Sequence, residues 1–334
     1  MVNKIKVAVV GAGNMGRHHI RNYYEMENID LVAIADNDPE SKELANQYGA
    51  KHFTDYVHML DECEIDALSI VVPTPLHFEF ALECMNRGKH VLLEKPIAST
   101  LEEADALIEK STEKNVVFTV GHIERYNPVI ETLKELVDSG KLGQISSIVS
   151  QRLGGFPTTE PKTDVILDLA IHDIDILNFL TGHQGKIVGV HGSRTFHSKE
   201  VDSAEILLKH KYASGFIQAN WVTPVKIRRI TITGSNGFVE ADYITQEITF
   251  YDANVAESLD TFQEFVKQFS NPNTLVLSPQ KYEPLRRELD AFVSAIGGGN
   301  PPQLVDPRDA RQALECAMDA RIDVRLMELS SSNA

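Results

Sequence analysis

Between Lys4 and Val120 short apolar runs alternate with segments of helical texture: KVAVV, LVAIA, ALSIVV, HVLLE and NVVFTV, separated by stretches such as PLHFEFALECMNRG. Strands that are apolar throughout, rather than at every second position, are buried on both faces, as in a parallel sheet covered by helices. A helix from Leu76 to Arg87 is expected to stop at Gly88. This half predicts a doubly wound α/β fold. After Gly121 the texture changes. A helix around Pro128 to Val137 gives way to QISSIVSQR, KIVGVHGSRTF, SAEILLKH, ASGFIQANW, KIRRITITG, GFVEADY and EITFYD, with a tight turn at Gly234-Ser235-Asn236-Gly237. That pattern predicts an α+β unit with a large, mainly antiparallel sheet. One apolar helix, Asp164 to Leu180, interrupts it and stops at Gly182; two more, Glu283 to Ala295 and Pro307 to Met327, close the chain. The expected division is into domains 1–121 and 122–334, with the helix 307–327 packing back on the first.

The first strand, Lys4 to Val10, runs into GAGNMG, where Gly11, Gly13 and Gly16 form a GxGxxG pattern around Asn14 and Met15. Gly11 permits a sharp turn, Gly13 lets backbone approach a pyrophosphate, and Gly16 lets the next helix sit close on the strand. The helix begins near Asn14, where free N–H groups and the positive dipole end can hold a diphosphate. Asp36 closes the run LVAIAD twenty residues beyond Gly16, followed by Asn37, Asp38 and Pro39 rather than an arginine. A carboxylate there accepts ribose hydroxyls and repels a 2′-phosphate, so NAD is expected rather than NADP, on a Rossmann sheet. His18 and His19 are expected to flank this turn, and Trp221 to lie in the core.

The net charge of −16 argues against nucleic acid or an anionic membrane as partner. No apolar run approaches a membrane span, and with strand one at the very start of the sequence no signal peptide is expected. The three cysteines, Cys63, Cys84 and Cys316, have no zinc spacing, so no metal is expected and a reducing cytoplasm fits.

Ligands of doubly wound sheets sit beyond the carboxyl ends of the strands. The fourth strand is followed by Pro73-Thr74-Pro75-Leu76-His77, which offers Thr74 and His77 to a cofactor or simply makes a rigid turn. The fifth ends in Glu94, Lys95 and Pro96, and a lysine held there can place an ammonium near the reacting carbon. In ILDLAIHDIDILNFL, Asp168, His172 and Asp175 fall on one stripe of an otherwise apolar helix. A carboxylate and an imidazole buried there either satisfy each other or do chemistry, and a histidine oriented by a carboxylate is a good proton acceptor near neutral pH. GHIERYNP supplies Arg125 and Tyr126, which could bind a polar ligand or merely form a hinge, and QRLGGFPTTEPK, with Arg152, Phe156 and Lys162, is either a solvated loop or a further edge of the same site.

Taken together, GAGNMGRHH, PTPLH, EKP and DLAIHDID resemble the glucose-fructose oxidoreductase, inositol dehydrogenase and MocA family of two-domain dehydrogenases. The resemblance implies that Lys95, Asp168 and His172 meet at the nicotinamide and are catalytic. GHIERYNP, RLGGFP and EPLRRELDAF further resemble family members that oxidise C3 of UDP-N-acetylglucosamine to a 3-keto nucleotide sugar by hydride transfer to NAD. His172, oriented by Asp168, would take the hydroxyl proton while Lys95 stabilises the alkoxide. Arg125, Tyr126, Arg152 and Phe156 would line the nucleotide-sugar site. Oxidation of inositol or another polyol is the alternative, and a non-catalytic NAD-dependent sensor a second. Assembly as a homodimer or homotetramer through the C-terminal sheet is expected.

Overall fold

The computed structural model describes residues 4–157, 161, 163–196, 199–253 and 273–331. It divides into two compact units. One comprises Met1–Tyr126 and Glu283–Leu314, the other Asn127–Tyr282 and Glu315–Ala334.

In the first unit β1 (Ile5–Val10), β2 (Ile29–Ala35), β3 (Lys51–Phe53), β4 (Ala67–Ile70), β5 (His90–Glu94) and β6 (Phe118–Gly121) form one sheet in the order β3-β2-β1-β4-β5-β6. Every pairing in it is parallel. The order reverses at β1, so β1 and β4 flank the topological switch point, where doubly wound sheets open a crevice. Connecting helices are α1 (Asn14–Tyr24), α2 (Ser41–Gln47), α3 (Tyr56–Glu62), α4 (His77–Asn86) and α5 (Leu101–Lys114). Helix α4 ends at the expected glycine, Gly88, which takes a φ of +72°. The edge strand β3 has three residues and is absent from the apolar runs seen in the sequence.

The late helix α8 (Pro284–Ile296) belongs to this unit, because its Leu285, Leu289, Phe292 and Val293 are buried in one cluster with Val7, Val9, Ile20 and Tyr23. Residues i, i+4, i+7 and i+8 of α8 make that apolar stripe. Tyr126 and Arg125, in the short turn Ile123–Tyr126, are also buried here.

The second unit carries α6 (Pro128–Asp138), α7 (Ile171–Thr181) and β7 (Ile145–Leu153) to β14 (Thr274–Leu277), in the sheet order β14-β13-β12-β11-β7-β10-β9-β8. Its strands between are β8 (Lys186–Ser193), β9 (Ser203–Lys209), β10 (Ser214–Asn220), β11 (Ile227–Gly234), β12 (Gly237–Asp242) and β13 (Glu247–Asp252). All neighbours are antiparallel except β7 and β10. Gly234 pairs with Gly237 across the predicted turn. Helix α7 lies on β7 and β10. Its Leu177 occupies the space a side chain at Gly215 of β10 would need, with an added Cβ only 2.5 Å from Leu177 Cδ2. Gly182 ends the helix at φ +67°, as the sequence predicts. Trp221 is in the core. The last helix, α9, spans Pro307–Ser331. Among the described residues no helix is long and apolar enough to cross a membrane.

Candidate active site

The nucleotide half is built at the carboxyl ends of β1, β2, β4 and β5. Gly11 leaves β1 at φ +93°, and a Cβ on it would sit 2.2 Å from the Val71 carbonyl oxygen. One on Gly16 would sit 2.0 Å from the Gly11 oxygen, so β1, its turn and α1 close together only with glycine at both places. Gly13 instead borders open space and is the N-terminal cap of α1, with no side-chain hydrogen bond capping the turn that starts at Asn14 and Met15. An uncapped helix start beside a backbone without a side chain fits a diphosphate. Asp36, at the end of β2, accepts the backbone N–H groups of Ala12 and Asp38, the latter at 2.7 Å. Each carboxylate oxygen keeps a second lone pair for a ribose hydroxyl.

Thr74 begins a short turn, Thr74–Leu76, and is partly exposed. His77 is buried, its Nδ1 2.8 Å from the Pro96 carbonyl oxygen and its Nε2 2.9 Å from that of Val72. Its two nitrogens thus face the loop after β5 and the turn after β4, and a neutral ring donates to one of those carbonyls at a time. Burial lowers its pKa, against the pull of the two carbonyls. Lys95 is partly buried at the end of β5. Its backbone N–H is held at 3.1 Å by Glu94 Oε2. The Glu94 carboxylate is largely withdrawn from water, which raises its pKa, but the neighbouring His19 and Lys95 outweigh burial and bring it below the usual value. His19 does not flank the phosphate turn; it is wholly buried beneath it, against Ser69.

The second unit holds the other predicted group. Asp164 starts its helix, accepting the N–H groups of Ile166 and Leu167 at 3.1 and 3.0 Å and an ion pair from Arg321. The next stretch, Ile166–Ala170, is a π-helical turn that runs into α7. Such turns widen the helix locally and recur at functional sites. Asp168 lies inside it and His172 in the first turn of α7, both only partly buried, whereas Asp173 and Asp175 are each 1% exposed. The sequence stripe of Asp168, His172 and Asp175 is thus split: the first two lie where the helix is less covered, and Asp175 is in the core.

Two expectations for ligand charge are corrected. Arg152 is 4% exposed, and its guanidinium is spent on Asp173, with Nε 2.7 Å from Oδ2 and Nη2 3.1 Å from Oδ1. It also lies over the Tyr243 ring. Arg125 is 3% exposed and paired with Asp309 at 3.0 Å. Neither offers a solvent-facing charge to a diphosphate, because alternation along β7 turns Arg152 to the same covered face as Ile148 and Ser150. Tyr126 is likewise buried within the first unit rather than displayed. Phe156 is displayed: it is 37% exposed and meets Phe196 and Trp221 edge-on. Lys162 lies outside the described residues. No cluster of three metal-binding side chains occurs among the described residues.

A parallel sheet with this glycine turn, an acid ending its second strand and a lysine ending its fifth define a dinucleotide-dependent oxidoreductase. Residues 5–122 match the oxidoreductase family with an NAD-binding Rossmann fold, and residues 130–240 match the GFO/IDH/MocA C-terminal domain. The chain belongs to the GFO/IDH/MocA oxidoreductase family, and its cofactor is NAD. It is 27% identical to UDP-N-acetylglucosamine 3-dehydrogenase of Acidithiobacillus ferrooxidans over 96% of this chain and 97% of that one. A solved structure of the A. ferrooxidans enzyme, 28% identical, superposes with a TM-score of 0.83 over 96% and 98% of the two chains. The scyllo-inositol 2-dehydrogenase (NAD(+)) of Bacillus subtilis is 26% identical over 92% of this chain and 90% of its own.

Proposed function

We propose that this protein oxidises the C3 hydroxyl of UDP-N-acetylglucosamine, giving a 3-keto nucleotide sugar. The observation that carries this reading is the end-to-end likeness to the A. ferrooxidans enzyme, which includes the solved fold. Bound NAD supplies the hydride acceptor. On this reading His172, oriented by Asp168, accepts the hydroxyl proton, and Lys95 donates a hydrogen bond to the same oxygen as negative charge develops on it. Gly11, Gly13, Asn14, Met15 and Gly16 hold the cofactor diphosphate, Asp36 its adenosine ribose, and Thr74 the nicotinamide side. Phe156 offers an aromatic face to the sugar or base.

One observation favours a second reading. With Arg125 and Arg152 buried on Asp309 and Asp173, the diphosphate of a nucleotide sugar has no assigned guanidinium, and an uncharged polyol such as inositol needs none. A panel of UDP-sugars and free polyols, followed by NADH formation, separates the two. Turnover of a UDP-sugar together with inhibition by UDP is expected; turnover of free polyols alone would replace the first reading with the second.

We also infer that two copies associate through the uncovered face of the large sheet. Leu207 of β9 and Phe216 of β10 face each other directly and are 43% and 36% exposed, beside Val188 at 55%. Exposed apolar side chains grouped on one sheet face mark an interaction surface.

A further inference from the structure

Lys95 ends a strand whose last side chain points inward. Glu94 is enclosed on three sides within the first unit. From α1, His19 is wholly buried with Nε2 3.5 Å from Glu94 Oε1, and neither atom has a nearer polar partner. From β6, Gly121 presents bare backbone: a Cβ there would lie 3.2 Å from both Cδ and Oε1 of Glu94. From its own strand end, the Lys95 N–H is held by Oε2.

The orientation of the His19 ring follows from the hydroxyls behind it. Tyr23 OH lies 2.8 Å from Ser69 Oγ, and Ser69 Oγ lies 3.1 Å from His19 Nδ1. If Tyr23 donates to Ser69 and Ser69 to Nδ1, the ring proton sits on Nε2 and faces the carboxylate. A protonated ring places a hydrogen there as well. In either case an N–H of the imidazole faces Glu94 Oε1 across 3.5 Å, an electrostatic contact rather than a formed hydrogen bond. The residue after Lys95 is fixed too, by His77 on the Pro96 carbonyl. The lysine is therefore bracketed by two buried histidines acting through its neighbours.

We propose that His19 is a positioning residue for Lys95: it keeps Glu94 ionised and seated, and the Glu94 carboxylate in turn fixes the Lys95 backbone and balances its ammonium. This rests on the reading of Lys95 as the group that contacts the reacting oxygen. The charged and titratable groups facing Glu94 are His19 from α1, Lys95 from its own strand end and His77 from α4, while Glu288 of α8 acts on Tyr23 behind the hydroxyl pair. Without the imidazole, Glu94 keeps the Lys95 N–H on Oε2 but loses its neighbour at Oε1, and takes up a proton at higher pH. The Lys95 ammonium then loses a neighbouring negative charge.

The test uses the full-length chain with NAD bound and three variants, His19→Gln, His19→Leu and Gly121→Ala. Glutamine keeps a donor near the Nε2 position, leucine removes it, and the alanine methyl presses on the carboxylate without touching α1. The first readout is the pH dependence of Lys95 acetylation, followed by mass spectrometry against the other lysines. The second is steady-state kinetics on whichever sugar or polyol the enzyme turns over. For His19→Leu and Gly121→Ala, Lys95 is expected to become reactive at lower pH, and kcat to fall on the order of 100-fold while NAD affinity stays within about threefold. His19→Gln should restore both readouts most of the way. If His19→Leu does not fold, Gly121→Ala and His19→Gln decide between them. Unchanged Lys95 labelling and kcat in folded variants would overturn the proposal, as would losses that follow thermal stability alone with no rescue by glutamine. A shifted labelling profile with undiminished kcat would support the positioning role and remove Lys95 from the chemistry. If no nucleotide sugar is oxidised, only the substrate reading fails, because the labelling needs no substrate.

Discussion

The Arg152 guanidinium and the Asp173 carboxylate form a two-point ion pair in the core of the second unit, with Nε 2.7 Å from Oδ2 and Nη2 3.1 Å from Oδ1. Ser150 adds a hydroxyl donor to the same carboxylate at 2.7 Å. Both charges are almost wholly removed from water, so either one left alone is poorly tolerated. Asp173→Asn or Arg152→Met is expected to lower unfolding free energy by about 3–5 kcal/mol in denaturant titrations. The double replacement Arg152→Met with Asp173→Leu should cost clearly less than the sum of its parts, because it strands no charge. Additive losses would show that the pair is not coupled.

This pair also marks how far the sequence could be read. The parallel sheet was legible because its strands are apolar on both faces, and the glycine turn and Asp36 because their spacing is local. Short edges were not: β3 has three residues and only one apolar side chain, and β14, Thr274–Leu277, is a four-residue run that stays largely exposed, so neither has the length of a core strand. The stripe of α8 shows that one face is buried but not what buries it, and its partners in β1 and α1 are some 270 residues earlier. The availability of Arg152 and Arg125 was illegible for the same reason. Their charges are neutralised by Asp173 and Asp309, 21 and 184 positions away, and no window around an arginine contains that information. The π-helical turn at Ile166–Ala170 shifts the stripe that an ideal helix would assign to Asp168, His172 and Asp175.

Asp36 is the sequence's argument for NAD over NADP, and its carboxylate is already aimed at the glycine turn through the Ala12 N–H. Asp36→Ala removes a charged acceptor from the ribose and the repulsion toward a 2′-phosphate. Loss of one such hydrogen bond, about 1.5–3 kcal/mol, corresponds to about 10- to 100-fold weaker NAD binding. Fluorescence titration with both cofactors should show that loss together with a narrower preference over NADP. Unchanged selectivity would place the discrimination elsewhere.

Lys95 and His172 are assigned different parts of one proton transfer, so their variants should lose rate rather than cofactor. Lys95→Ala and His172→Ala are each expected to lower kcat by about 10²- to 10⁴-fold. NAD affinity, measured by fluorescence, should hardly move, since the glycine turn and Asp36 are untouched. Asp168→Asn should be milder, because an amide can still hold the ring. Retained turnover in either alanine variant would remove that residue from the mechanism.

Leu207 and Phe216 sit opposite one another on adjacent antiparallel strands and remain well exposed. A carboxylate on each copy of that face would be desolvated by association. Phe216→Glu is therefore expected to shift the protein to a smaller species in light scattering after size exclusion, with the fold intact by circular dichroism. A wild-type protein that is already monomeric would dismiss the interface.

His210, at the end of β9, is 3% exposed, with Nε2 3.1 Å from Asn178 Oδ1. Gly185 and Gly215 close on its ring so tightly that a Cβ at Gly185 would fall 2.8 Å from Nε2. Burial, with a smaller contribution from His183, pulls its pKa down from 6.5 to about 4. The ring is therefore neutral in the folded chain at pH values where the unfolded chain already binds a proton. Stability contributed by this site is fully present above pH 6.5, falls as the pH drops from there to about 4, and is constant below. A shift of this size is worth up to ~3 kcal/mol, a ceiling because local opening lets water reach the ring. His210→Gln can still donate to Asn178 but does not titrate. Denaturant unfolding of wild type and variant across that pH range should show a slope in the wild type that the glutamine flattens, while parallel curves would mean that the ring is protonated in place.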